Sequence, residues 1–182
     1  YEGIDDAEVH GTAATASVTE GTTVSYSVDG GTTWSTDVPT IKDVGEITVQ
    51  VKAENSNYET ATASYTLKVT PKAVTVTADN KTKTFGDADP ELTATVSGTL
   101  GTDTVSYSVS RASGEEAGSY TITPSGEAAQ GNYTVSYVTG TLTITKSGDL
   151  SVSGTPYEGV YDADVHGTAA TASVTEGTTV SY

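Results

Sequence analysis

The chain has 182 residues, no Cys and no Met, 24 acidic against 8 basic side chains, and a formal net charge of −16. That acidic excess argues against nucleic acid as a partner, because binding there needs cationic side chains to replace phosphate counterions, and it disfavours an anionic lipid surface. Without Cys there is no disulfide scaffold, thiolate metal site or Cys nucleophile, and no apolar run approaches the length that spans a bilayer.

Thr is the commonest residue, 36 of 182, and with Val and Tyr it favours a pleated, half-buried surface. Taken in order, Thr12–Val18 is expected to be a strand ended by Glu20-Gly21. Thr22–Val28 follows with Val24, Tyr26 and Val28 on one face. Asp29-Gly30-Gly31 reads as a tight turn, and Thr32–Ser35 as the returning arm of a hairpin. Glu46–Ala53 places Ile47, Val49 and Val51 on one face; Asn55-Ser56-Asn57 turns the chain into Ala61–Thr70, where Ala63, Tyr65, Leu67 and Val69 alternate with polar residues. Pro71 closes this first module.

Ala73–Ala78 opens a second module, and Asp79 to Pro90 reads as a loop. Strands are expected at Leu92–Val96, Thr104–Ser110, Ser119–Thr123, Tyr133–Val138 and Thr141–Thr145, with at most one helical turn at Ala128-Ala129-Gln130. Short alternating strands, frequent turn signals and no helical periodicity give an all-β chain of tandem Ig-like β-sandwich modules in an extended array. From Ser147 a further module begins, with Asp149–Ser153 as its expected first strand.

Repetition organises the whole. Residues 1–26 recur at 157–182 with 23 of 26 positions identical, differing only at Ile4/Val160, Asp5/Tyr161 and Glu8/Asp164. A fixed offset with near-identity is the mark of a tandem array. Within the period, TVSYSV at 23–28 recurs at 104–109, so the period divides into two related modules of about 80 residues, a size that sustains one small core. The expected division is 1–70, a first module lacking its initial strand; 71–146, a second module; and 147–182, the opening strands of the next copy of the first. The last segment is too short to bury a core alone. The ends are therefore expected to be cuts through an array, with any export signal or wall anchor outside this stretch.

The second module resembles the MBG family of bacterial surface-protein repeats. Lys83, the Phe85-Gly86-Asp87 turn, Asp89-Pro90 with Leu92, Gly118, Asn132-Tyr133 and Gly140-Thr141-Leu142 carry the likeness; family members often have Tyr where Phe85 stands. The first module resembles the Ig-like repeats that accompany MBG domains in large adhesins. The resemblance implies an extracellular, cell-surface stalk or adhesin built of many copies.

Residues that could carry chemistry are few. His10 and its repeat His166 are the only histidines. One His per period at a turn is expected to be structural, since a triad or zinc site needs several converging partners. No GxSxG, HExxH, P-loop or GxGxxG pattern occurs, so no catalytic or cofactor-binding residue is assigned and the chain reads as a non-enzyme. Asp5, Asp6 and Glu8 crowd one loop, and Asp87, Asp89 and Glu91 another. Calcium takes six to eight oxygens, so these are its candidate ligands, weighed against the simpler role of capping turns. Trp34, with Tyr26 beside it, is the candidate contact for a glycan, weighed against a place in the core. Lys52, Lys68 and Lys72 with Asn57, Asn80 or Asn132 supply atoms for an isopeptide crosslink, but alternation puts Lys52 and Lys68 on polar faces.

The leading expectation is a structural stalk or fibre module, its partners being neighbouring copies of itself head to tail, with strand complementation through 147–156. An adhesive module contacting a host glycan or protein is the alternative.

Overall fold

The computed structural model describes residues 1–167 and 169–181, and every regular element among them is a strand. The first module is built on one long hairpin. β5 (Gly45–Asn55) and β6 (Tyr58–Thr70) follow β1 (Glu2–Ile4), β2 (His10–Gly11), β3 (Thr22–Ser27) and β4 (Thr40–Ile41) in the chain. Its register sets Ile47 against Leu67 and Val49 against Tyr65, so the apolar alternation of both arms falls on one face. Asn55 tightens the turn by accepting the Asn57 N–H at 2.9 Å, and a register shift between Ala53 and Asn55 absorbs the odd residue.

β3 extends this sheet antiparallel to β5, and β1 adds parallel to the end of β6, giving the order β1-β6-β5-β3. Tyr26, Ile41, Val49, Val51, Leu67 and Val69 form the core beneath it. The β2–β4 pair packs against it through β4, and Ala14 of the segment 12–18 packs on the same core.

Two expectations fail here for physical reasons. Thr12–Val18 forms no strand, although Ala14 and Ala16 turn inward and Thr15 outward as a strand would have them. Its backbone is held instead by side chains: the Ala14 N–H donates to the Tyr26 hydroxyl at 2.9 Å, and the Tyr65 hydroxyl donates to the Thr12 carbonyl at 2.7 Å. Thr32–Ser35 is not a hairpin arm either. Only Ser35 pairs with Tyr26, because the Asp29 carboxylate captures the N–H groups of Thr32 and Thr33, the Thr33 hydroxyl and the Ser27 hydroxyl. A carboxylate that takes local backbone donors winds the chain into a turn in place of a ladder.

The second module contains β7 (Lys72–Ala78), β8 (Lys81–Thr84), β9 (Ala94–Ser97), β10 (Ser108–Arg111), β11 (Gly118–Ser125), β12 (Ala129–Gln130), β13 (Tyr133–Val138) and β14 (Gly140–Thr145). They form two four-stranded sheets, β12-β13-β7-β9 and β10-β11-β14-β8, with β11 packed across β7 and β13. The chain changes sheet after Ala78 and again after Val138, so β7 and β13 pair in parallel in one sheet while β8 and β14 pair in parallel in the other. Inward alternation supplies Val74, Val76, Ala78, Tyr133 and Val135 from one sheet, and Ile122, Leu142 and Ile144 from the other, Ala78 packing with the latter three.

The expected loop at 79–90 thus hides a strand, β8, and the expected helical turn at 128–130 is β12. The strands expected from Leu92 and Thr104 begin later, at Ala94 and Ser108. Beyond the second module, β15 (Val152–Gly154) pairs antiparallel with β16 (Ala170–Ala172). Asp149–Ser153 therefore enters pairing later than its alternation suggested.

Candidate functional site

Two polar clusters stand out, one inside the second module and one between the modules. The first explains β8. Lys83 points inward where an apolar residue would be expected, and its side chain is only 4% exposed. Its ammonium donates to the Asp87 carbonyl at 3.2 Å, to Asp89 Oδ1 at 2.7 Å and to Glu115 Oε2 at 2.5 Å, which uses all three of its donors. Arg111, the only arginine of the chain, forks onto both oxygens of Asp89 and reaches Glu115.

The hydrogen bonds from Arg111 and then Lys83 hold the Asp89 carboxyl at about 2. Those from Lys83 and then Arg111 lower Glu115, while Asp89 and Glu115 together raise Lys83. Over this cluster sits the Phe85-Gly86-Asp87 turn, closed by Asp87 N–H to the Thr84 carbonyl and by Phe85 N–H to the Thr145 carbonyl. Gly86 has φ +93°, a conformation that excludes most side chains.

The second cluster joins the modules. A single residue, Pro71, separates β6 from β7. Around it, the Asn132 amide donates to Asp43 Oδ1 at 3.2 Å and to Asp5 Oδ1 at 3.3 Å, and its oxygen accepts the Val44 N–H at 3.1 Å. The Asn132 carbonyl accepts the Lys72 N–H, and the Asp5 N–H donates to the Thr70 carbonyl, each at 2.9 Å. Asp5 is buried, 3% exposed. Two segments of the first module, the residue after β1 and the β4–β5 loop, thus converge on one side chain of the second.

Behind Asp5 the chain folds into a small closed loop. Tyr1 stacks on His10 with ring centres 3.9 Å apart, His10 bonds Asp6 at 2.9 Å, the Glu8 N–H donates to Asp6, and Ala7 takes φ 64°. The repeat reproduces every part: Tyr157 on His166 at 4.2 Å, His166 to Asp162 at 2.6 Å, Asp164 N–H to Asp162, and Ala163 at φ 65°.

The residues singled out from sequence are therefore scattered. Asp5 belongs to the joint, Asp6 to the His10 loop and Asp89 to the Lys83 cluster. Asp87 Oδ2 accepts the Thr84 N–H, while Glu8 and Glu91 are exposed. Among the described residues no group of three or more His, Cys, Asp or Glu is arranged to hold a metal ion. Tyr26 is a core residue. Trp34 lies outside that core, half-buried, its indole N–H donating to the Gly31 carbonyl and Lys52 lying over its ring at 4.8 Å. Of the isopeptide candidates, Lys52 pairs with Glu54, Lys68 lies near Glu2 and Glu46, and Asn80 accepts the Thr141 N–H. Lys83 carries no site role in the sequence reading; its cue is a lone Arg111 with acids on two loops, Asp89 and Glu115, which reads as surface charge until the fold gathers it.

With the turn, its buried lysine and the paired parallel strands in view, comparison with known families is decisive for one segment. Residues 74–143 match the MBG domain of the YGX type. The match covers just under two fifths of the chain, and within it lie Lys83, the Phe85-Gly86-Asp87 turn and Asn132. The MBG domain is a repeat module of bacterial surface proteins. Neither the curated proteins nor the solved structures contain a match to the chain.

Proposed function

We propose that this chain is a segment of an extracellular stalk on a bacterial cell surface, in which an Ig-like module and an MBG module alternate and are held at a fixed angle. The carrying observation is the Asn132 joint. A one-residue linker leaves little freedom, and three hydrogen bonds of the Asn132 side chain across the joint restrain what is left. Copy number then sets reach, and stiffness at each joint sets persistence. The adhesive alternative draws less support, since Tyr26 is buried and one face of Trp34 is covered by Lys52.

Because the chain has no Cys, spin labels at Glu59→Cys and Thr143→Cys report one inter-module distance. A single narrow distribution is expected, broadened by Asn132→Ala, which removes interactions totalling about 1–3 kcal/mol at the joint. A distribution already broad in the parent chain overturns the stiff-stalk reading.

A further inference from the structure

Charge is distributed differently over the strands of the two modules. The outer face of the β5–β6 hairpin carries Glu46, Lys52, Glu54 and Lys68, with Lys68 standing opposite Glu46. In the second module no strand contains Asp or Glu, and its charged strand residues all take the inward side. Lys72 lies opposite Tyr133, Lys81 opposite Leu142, Lys83 opposite Ile144 and Arg111 opposite Ile122, and each of those partners is buried. This inverts the usual arrangement, in which charge on the outer face keeps copies of a β-protein apart.

The sheet β10-β11-β14-β8 carries the pattern furthest. Every outward position on its four strands is Ser or Thr. The register sets them in rows, with Thr121 beside Thr141, and Ser119, Thr143 and Thr82 in one line. Neighbours in a row are about 4.8 Å apart, and successive rows about 7 Å. At the margin, Ser108 and Ser125 bond each other at 3.0 Å and the Thr145 hydroxyl donates to the Lys83 carbonyl at 3.3 Å. Among the described residues the hydroxyls at the middle of the face, on Thr121, Thr123, Thr141 and Thr143, have no protein partner, and all four residues are exposed. A hydroxyl both donates and accepts, so a face made of hydroxyls is complementary to itself, as a face of carboxylates is not.

We propose that this face pairs with the same face of a second copy, sheet against sheet about a two-fold axis, so that stalks associate side by side. Chains of net charge −16 repel one another, and here they meet with no like charges opposed. Two sheets of the same twist stack with their strands about 30° apart, which brings the central threonines of both copies together. The face measures about 400 Å², half of the roughly 800 Å² per partner that a stable interface buries. Single chains therefore pair weakly and transiently, and repetition of the module along a stalk multiplies the contact. The proposal adds to the stalk reading without resting on a stiff Asn132 joint. Its signal lies between chains and that of the joint within one, so the two fail separately.

Paramagnetic relaxation between full-length chains tests this. A nitroxide at Ser119→Cys in an unlabelled chain, mixed with isotope-labelled parent chain, should broaden the NMR signals of the outward residues of β8, β10, β11 and β14. The broadening should grow with concentration and with added salt, which screens the repulsion between acidic chains. A nitroxide at Thr134→Cys, on the outer face of the other sheet, should leave those signals sharp. Thr121→Glu sets a carboxylate against its own copy at the centre of the contact and should weaken association at least about tenfold. Should that variant melt below the parent, Thr143→Lys on the neighbouring strand introduces the same repulsion with the opposite sign. Signals that stay sharp at every concentration, broadening spread over the whole surface, or broadening unchanged by the charge variants overturns the proposal.

Discussion

Residues 1–26 and 157–182 share 23 of 26 positions but differ in how much of their structure is regular. The Tyr–His stack, the Asp–His bond and the positive-φ Ala are present in both. The strands are not. Glu2–Ile4 pairs with β6 in the first copy, whereas Val160 of the second is 90% exposed and in no strand. Thr22–Ser27 is a core strand, while 178–181 are not regular. Contacts spanning ten residues are carried by the peptide itself; a strand needs a neighbour and a floor, which only the β5–β6 hairpin supplies.

The largest test removes that floor. Leu67 is fully buried, and Leu67→Ala should cost about 2–5 kcal/mol by leaving a cavity at the centre of the first core. Calorimetry or denaturant titration would show the first module melting earlier. The ring-shifted NMR signals of Tyr157 and His166 should stay where they are through that transition. If they moved with those of Tyr1, the second copy would be leaning on the first module and the comparison would collapse.

Acid gives a smaller effect that again separates the regions. Asp89 is held at about 2 and Glu115 below its ordinary value by Arg111 and Lys83. A carboxylate whose folded pKa lies under its unfolded value of about 4 contributes stability that is complete above about pH 4. That contribution fades as pH falls through the folded value, so the window is about pH 4 down to about 2. Arg111→Gln should flatten the fall of the second module's melting temperature across it, and should leave the first module, where Asp29 is lowered by its own Thr33 and Ser27 bonds, unchanged. Parallel curves for parent and variant would show that the cluster is not the source.

How much of this was legible beforehand follows the same division. The β5–β6 hairpin and strands β7, β13 and β14 could be read because apolar residues alternate along them. β8 could not, because its inward residue is Lys83, and a buried charge looks like a loop until its partners on distant turns are known. The Thr32–Ser35 arm was misread because Asp29 competes with the ladder for backbone donors. Thr12–Val18 has the pattern of a strand and lacks the pairing, since pattern reports a face and says nothing about a neighbour. Of the candidate site, Asp5 was picked out as an acid in a crowded loop, but its position in the joint depends on Asn132, 127 residues away.

The smallest effect is the sharpest on the opening comparison. His10→Ala and His166→Ala delete the same side chain from the same loop in two settings. In the first copy the loop is also pinned at β1, where Glu2–Ile4 ladders to Lys68–Thr70 and Asp5 N–H reaches Thr70. Loss of His10 should therefore lower the melting temperature less than Leu67→Ala does and leave Glu2–Ile4 protected from hydrogen exchange. In the second copy residues 158–160 belong to no strand. Loss of His166 should release Tyr157 to random-coil shifts without altering the melting of either module. Were Tyr157 to keep its stacked shifts without His166, the loop would owe its shape to the positive-φ Ala163 and the Asp162 turn, and the histidine would be a passenger in both copies.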